Sequence, residues 1–476
     1  MLSTRFERIG DLRDLQKAIK HSEEALATTL QDHQDKAAAR LSNLGTCLCR
    51  RFRRIGDLDD LQKAIKRSEE ALNATPQDHP DRAAHHNNLG VMLSERFERI
   101  GDLDDLQNAT NHGEEALAAT PHDHPDRASM HNNLGIWLST RFERLGDLDD
   151  LQKAIWHGEE ALAATPQDHP DQVIRHNNLG LWFSTRFDRL GNLSDLQKAI
   201  KHGEEALAAI PHDHPDRACS HSNLGILISS RFKRLGDLDD LQTAIKHGEE
   251  ALAAIPQDSP ARRGAHNNLG LRFSARFKRL GYFNDLQKAI KHSEVALDAT
   301  PRDCPDRASG HDALGSCLYR RFELLGDLDD LQQATKHGEE ALAATPQNHP
   351  DRAGRHNSLG VMFSTSFERL GDLDPLRKAI KHSEETPAAA PQDHPVRAAI
   401  HNNLGNYFSA RFQRLGDFDD LRKAFKHGEE ALSATPQGHP DRAARLGATL
   451  LLFTGRSRES GSILEDAVRL MSSVNL

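Results

Sequence analysis

The chain has 476 residues, a formal charge of −10, and 37% hydrophobic and 5% aromatic residues, which is lean for a single globule of this length and, in its acidic balance, argues against nucleic-acid and acidic-membrane partners. No stretch nears the roughly 20 apolar residues of a membrane-crossing helix, and the opening MLSTRFERIGDLRDL lacks the apolar run of a secretory signal. Five cysteines at unrelated positions read as reduced thiols, so a cytoplasmic protein without a membrane partner is expected.

A block ending in Asn-Asn-Leu-Gly or a close variant returns every forty-five residues, with glycines at Gly45, Gly90, Gly135, Gly180, Gly225, Gly270, Gly315, Gly360 and Gly405. A fixed period of this size marks a stacked array in which each unit buries its apolar face against its neighbours. In chain order, residues 1–34 form a partial repeat that starts inside a first helix, an end expected to be truncated or covered by a partner. Nine full repeats follow over 35–440, and a shorter closing repeat occupies 441–476.

The stretch from Asp126 to Pro166 serves for all of them. Its first segment places His131, Leu134, Gly135, Leu138, Phe142 and Leu145 three or four residues apart, one apolar stripe of a helix. Pro125 and Asp126 suit the first turn, and Gly146 ends it. The second segment opens with Asp147 as a cap and Asp150 three residues on, an acidic form of the capping box. Its stripe runs through Leu148, Leu151, Ala154, Ile155, Gly158, Ala161 and Leu162 to a stop at Pro166. A mid-helix glycine costs about 1 kcal/mol against alanine, so Gly158 is expected where two helices approach closely. Further along, Pro387 is expected to break the last turn of its second helix.

The sequence Leu134-Gly135, then Ala154, Ala161 and Pro166, resembles the tetratricopeptide repeat, lengthened by additions of about one helical turn in each helix. The NNLG and DHPD elements are similar to the long repeats of kinesin light chains. RFERLGDLDDLQKAI followed by EEALAATPQDHPDRA is similar to repeat arrays of fungal proteins that end in a caspase-like CHAT domain. The resemblance implies an all-α, right-handed solenoid of antiparallel helix pairs and a non-catalytic interaction scaffold that holds an extended peptide or partner protein in a concave groove. It also implies an alternative, the regulatory arm of a CHAT peptidase whose catalytic domain is not in this chain.

By that resemblance the residue before each Leu-Gly faces the groove, which makes Asn88, Asn133, Asn178, Asn223, Asn268 and Asn403 the candidate peptide-binding residues. A carboxamide both donates and accepts, and so can hold an extended backbone or brace the neighbouring helix. The recurring Arg-Phe pair puts phenylalanine in the core and faces each arginine towards the acidic helix starts, as exposed pairs worth about 0–1 kcal/mol. Histidines fill three repeat columns, exemplified by His131, His157 and His169, with no His-x3-His or Cys-x2-Cys spacing. No metal and no cofactor is therefore expected. No phosphate-binding glycine loop and no nucleophile motif stands out, and no catalysis is expected.

Overall fold

The computed structural model describes residues 12–27, 34–389 and 396–435, apart from loop positions 212, 215, 303, 305, 348 and 350. The closing repeat at 441–476 and half of the opening segment lie outside the described residues. Two compact units divide the chain, Met1–Asp240 and Leu241–Leu476. Each is an all-α solenoid of antiparallel helix pairs, with no strand among the described residues. Within each unit, first helices pack on their own second helices, and second helices pack on the first helix of the following repeat.

Local chemistry explains each hairpin. In the first unit, helix α1 (Arg127–Leu145) ends at Gly146, whose φ of +77° lets its N–H reach Phe142 O at 2.7 Å. A side chain there would be strained. Asp147 then caps helix α2 (Leu148–Ala163) by accepting from Asp149 N at 3.0 Å. The capping-box role expected for Asp150 is not seen, because that carboxylate is held by Arg141 instead. The helix stops before Pro166, as the bias against helical backbone ahead of proline requires.

The connection is built from the third histidine column. His169 N donates to Pro166 O, and His169 Nδ1 accepts from Asp171 N at 3.2 Å, folding PQDHP into a tight turn. Arg127 closes the joint to the preceding repeat. Its Nη1 donates to Leu117 O at 3.0 Å and Thr120 O at 2.7 Å, which are carbonyls left over at a helix C-terminus. Arg82, Arg217, Arg262, Arg307 and Arg352 repeat this contact, and Gln172 substitutes for it once.

Leu89, Leu134 and Leu179 are almost fully buried in the first unit's core, with Phe97, Phe142 and Phe187 beside them. Leu359 and Leu404 hold the leucine places in the second, with Phe363 and Phe408 in the column of Leu138. Gly158 lies at a close approach, as expected: a Cβ there would come within 2.6 Å of Trp182 and 2.8 Å of Leu179. Pro387 does not break its helix, which runs from Leu373 to Ala389. A proline two residues before the end of a helix removes one hydrogen bond and leaves less than one turn beyond it.

Candidate functional site

The asparagine column is half in use within the stack. Asn133 Nδ2 donates to Asn87 Oδ1 of the preceding repeat at 3.1 Å, Asn178 to Asn132 at 3.0 Å and Asn403 to Asn357 at 3.0 Å. Two neighbouring columns thus form an amide ladder that fixes the stagger of adjacent first helices. Each donating carboxamide keeps a second N–H and its carbonyl for another partner. Asn88 and Asn268 are half-buried at the same register.

The ladder misses a rung between Asn177 and Asn223. Both are exposed, and Asn223 Nδ2 turns to Cys219 Sγ at 3.8 Å instead. A cavity of about 180 Å³ opens at this joint, lined by Gly180, Gly203, Leu224 and Leu227 below and by Asn177 and Asn223 at its mouth. Its origin is one residue. At the two preceding joints the same position carries Trp137 and Trp182, both buried, whose indole rings lie against Gly90 and Gly113, and against Gly135 and Gly158. Leu227 is smaller, so a Cβ at Gly180 would meet nothing nearer than Ala199 O at 3.5 Å. Leu181 (58% exposed) and Ile226 (45%) form an apolar rim.

Sequence reasoning missed this site, although the drop from Trp182 to Leu227 in one column was a legible signal. The residues after each Leu-Gly were equally legible. Ile136, Leu181 and Ile226 are apolar there yet fall outside the buried stripe.

The arginine column meets the acidic helix starts of its own repeat, as expected, but not as exposed pairs. Arg141 Nε and Nη2 grip Asp150 at 2.7 and 2.5 Å, with the Asp150 side chain only 4% exposed. The hydrogen bond to this carboxylate raises the Arg141 pKa. Arg141 Nη1 also reaches Gln107 and Thr110 of the preceding repeat. Bidentate geometry makes the contact itself stronger than a single surface pair, and burial makes the loss of either partner alone costly.

Two histidine columns, twenty-six residues apart and on different helices, are brought into contact. His131 Nδ1 lies 2.8 Å from His157 Nδ1, and His176, His311 and His401 meet His202, His337 and His427 at 2.9 to 3.0 Å. Burial pushes His131 and His157 down to about 4. A spacing search along one segment could not find ligands that come from two helices. Glu340, Glu385 and Glu430 stand beside these pairs in the second unit.

The family model for the tetratricopeptide repeat matches residues 37–81, the length of one period. One period of the chain, residues 37–81, thus matches a tetratricopeptide repeat. No curated protein sequence matches it. Among solved structures, a putative kinesin light chain of Podospora anserina with nearly identical TPR-like repeats is 16% identical, covering 46% of this chain and 97% of its own, with a TM-score of 0.33. PilF of Pseudomonas aeruginosa is 16% identical over 58% of this chain and 97% of its own, with a TM-score of 0.39. Human IFIT1, solved as a dimer with PPP-AAAA, is 14% identical over 95% and 94%, with a TM-score of 0.39. That last structure overturns one expectation: the acidic balance of this chain does not exclude a nucleic-acid ligand. Such repeats serve in general as protein-interaction scaffolds.

Proposed function

We propose that the first unit holds an extended segment of a partner protein and anchors it by one bulky aromatic side chain in the cavity at Leu227. The observation that carries this reading is the pair of preceding joints, where the chain's own Trp137 and Trp182 fill the equivalent space. A cavity of about 180 Å³ is smaller than the roughly 300–1,000 Å³ of drug-sized ligand sites, so it suits a side chain and not a cofactor. The exposed carboxamides of Asn177 and Asn223 flank its mouth, placed to take the backbone on either side of the anchor. Asn133 and Asn178 contribute through amide groups left over from the ladder, and Asn88 through its half-buried carboxamide, extending a contact that demands little sequence.

Selection from a randomised displayed peptide library on the full chain tests this reading. Peptides sharing one tryptophan or other bulky aromatic residue are expected. Leu227→Trp should weaken them about thirtyfold, the loss of a hot-spot contact of about 2 kcal/mol. A selected set without a common aromatic, or equal binding by Leu227→Trp, contradicts the assignment.

A further inference from the structure

In the second unit the histidine pairs acquire a third member. Helix α3 (Val396–Leu415) supplies His401, and helix α4 (Phe418–Ser433) supplies His427 and Glu430, three residues apart on one face. Three atoms converge: His401 Nδ1 to His427 Nδ1 is 3.0 Å, His401 Nδ1 to Glu430 Oε2 is 2.9 Å, and His427 Nδ1 to Glu430 Oε2 is 3.0 Å. We propose that His401, His427 and Glu430 bind a divalent first-row transition-metal ion, each giving one ligand atom on one face of an octahedron.

The edge lengths carry the argument. Metal–nitrogen and metal–oxygen bonds of about 2.1 Å at right angles put ligand atoms about 3.0 Å apart, whereas a tetrahedral site needs about 3.4 Å. The triangle matches the octahedral spacing on all three sides. Glu430 Oε2 is buried and accepts no aligned hydrogen bond. Among the described residues no lysine or arginine pairs with it, although the side chain as a whole is 37% exposed. Phe408 stacks on the His427 ring, with centroids 5.7 Å apart and planes within 3°, which fixes its orientation. Two imidazoles and one carboxylate on one face are a known ligand set for such ions, with three positions left to water or an external ligand.

His311, His337 and Glu340 repeat the arrangement with sides of 2.9, 3.0 and 3.6 Å. His356, His382 and Glu385 form a looser version, with 3.1 Å between the rings and 3.7 Å from His356 to the carboxylate.

Titration of the chelator-treated full chain with Co²⁺ tests the proposal, read by visible absorption and calorimetry. Saturable binding with the weak bands of six-coordinate Co²⁺ is expected. Glu430→Gln should remove the tightest equivalent with at least a tenfold loss of affinity, while circular dichroism stays unchanged. The combined Glu340→Gln, Glu385→Gln, Glu430→Gln variant should lose the remaining specific binding. Absence of binding, strong tetrahedral bands, or binding that both variants leave intact would overturn it.

Discussion

At the scale of single residues, the Arg-Asp clamp shows why repeat columns change together. Where Arg141 and Asp150 stand in one repeat, Ser366 and Pro375 stand in another, so arginine and aspartate are lost as a pair. Asp150 without Arg141 would be a buried charge with its clamp removed. Arg141→Leu is therefore expected to destabilise the array by about 3 kcal/mol in urea unfolding, and Arg141→Ser with Asp150→Ser by much less. Equal losses in both variants would show that the charge is not the issue. The partner of the arginine was legible in the sequence, but its worth was not, because the burial that sets the worth comes from neighbouring repeats.

The paired histidines give a pH dependence with a definite sign. Burial holds His86, His131, His157 and His202 near 4, and Arg127 beside His131 and Lys153 beside His157 act in the same direction. The unfolded chain titrates near 6.5. As pH falls below that value the unfolded state binds more protons, so stability is full above about 6.5 and is lost towards 4. Melting temperature should drop between pH 7 and 5, and His131→Gln with His157→Gln should flatten the drop. A profile that is flat in the parent chain contradicts the burial argument.

At the scale of elements, each helix end carries its own instruction and each joint borrows one from next door. Gly146, Asp147 and Pro166 were readable because their work is local. The role of Arg127 was not, since its acceptors Leu117 O and Thr120 O belong to the preceding repeat. The inter-helix approach at Gly158 was legible, but not that Trp182 fills it. Leu227→Trp moves a residue of this chain's own neighbouring joints into an equivalent space. It should raise stability by about 1–2 kcal/mol through added buried apolar surface, measured as a higher urea midpoint. A lower midpoint would mean that the joint is already closed by other means.

At the scale of the whole molecule, the period alone disclosed the helix-pair architecture, because a stacked array repeats its solution. What it could not disclose were the places where one repeat departs from the rest, and the joint at Leu227 is one of them. Neighbour-only packing also localises damage. Leu134 is fully buried, and Leu134→Asp should cost about 4 kcal/mol or more. Hydrogen exchange should report lost protection in its own and adjoining repeats, with the unit from Leu241 onward retained. Loss of protection throughout would contradict nearest-neighbour stacking.

The central claim is that the joint at Leu227 accepts an aromatic side chain, and indole itself is the simplest probe. Titration of the full chain with indole, followed by saturation-transfer NMR, should show weak, saturable binding that Leu227→Trp abolishes while Asn223→Ala leaves it largely intact. No saturable binding by the parent chain, or undiminished binding by Leu227→Trp, would contradict the account.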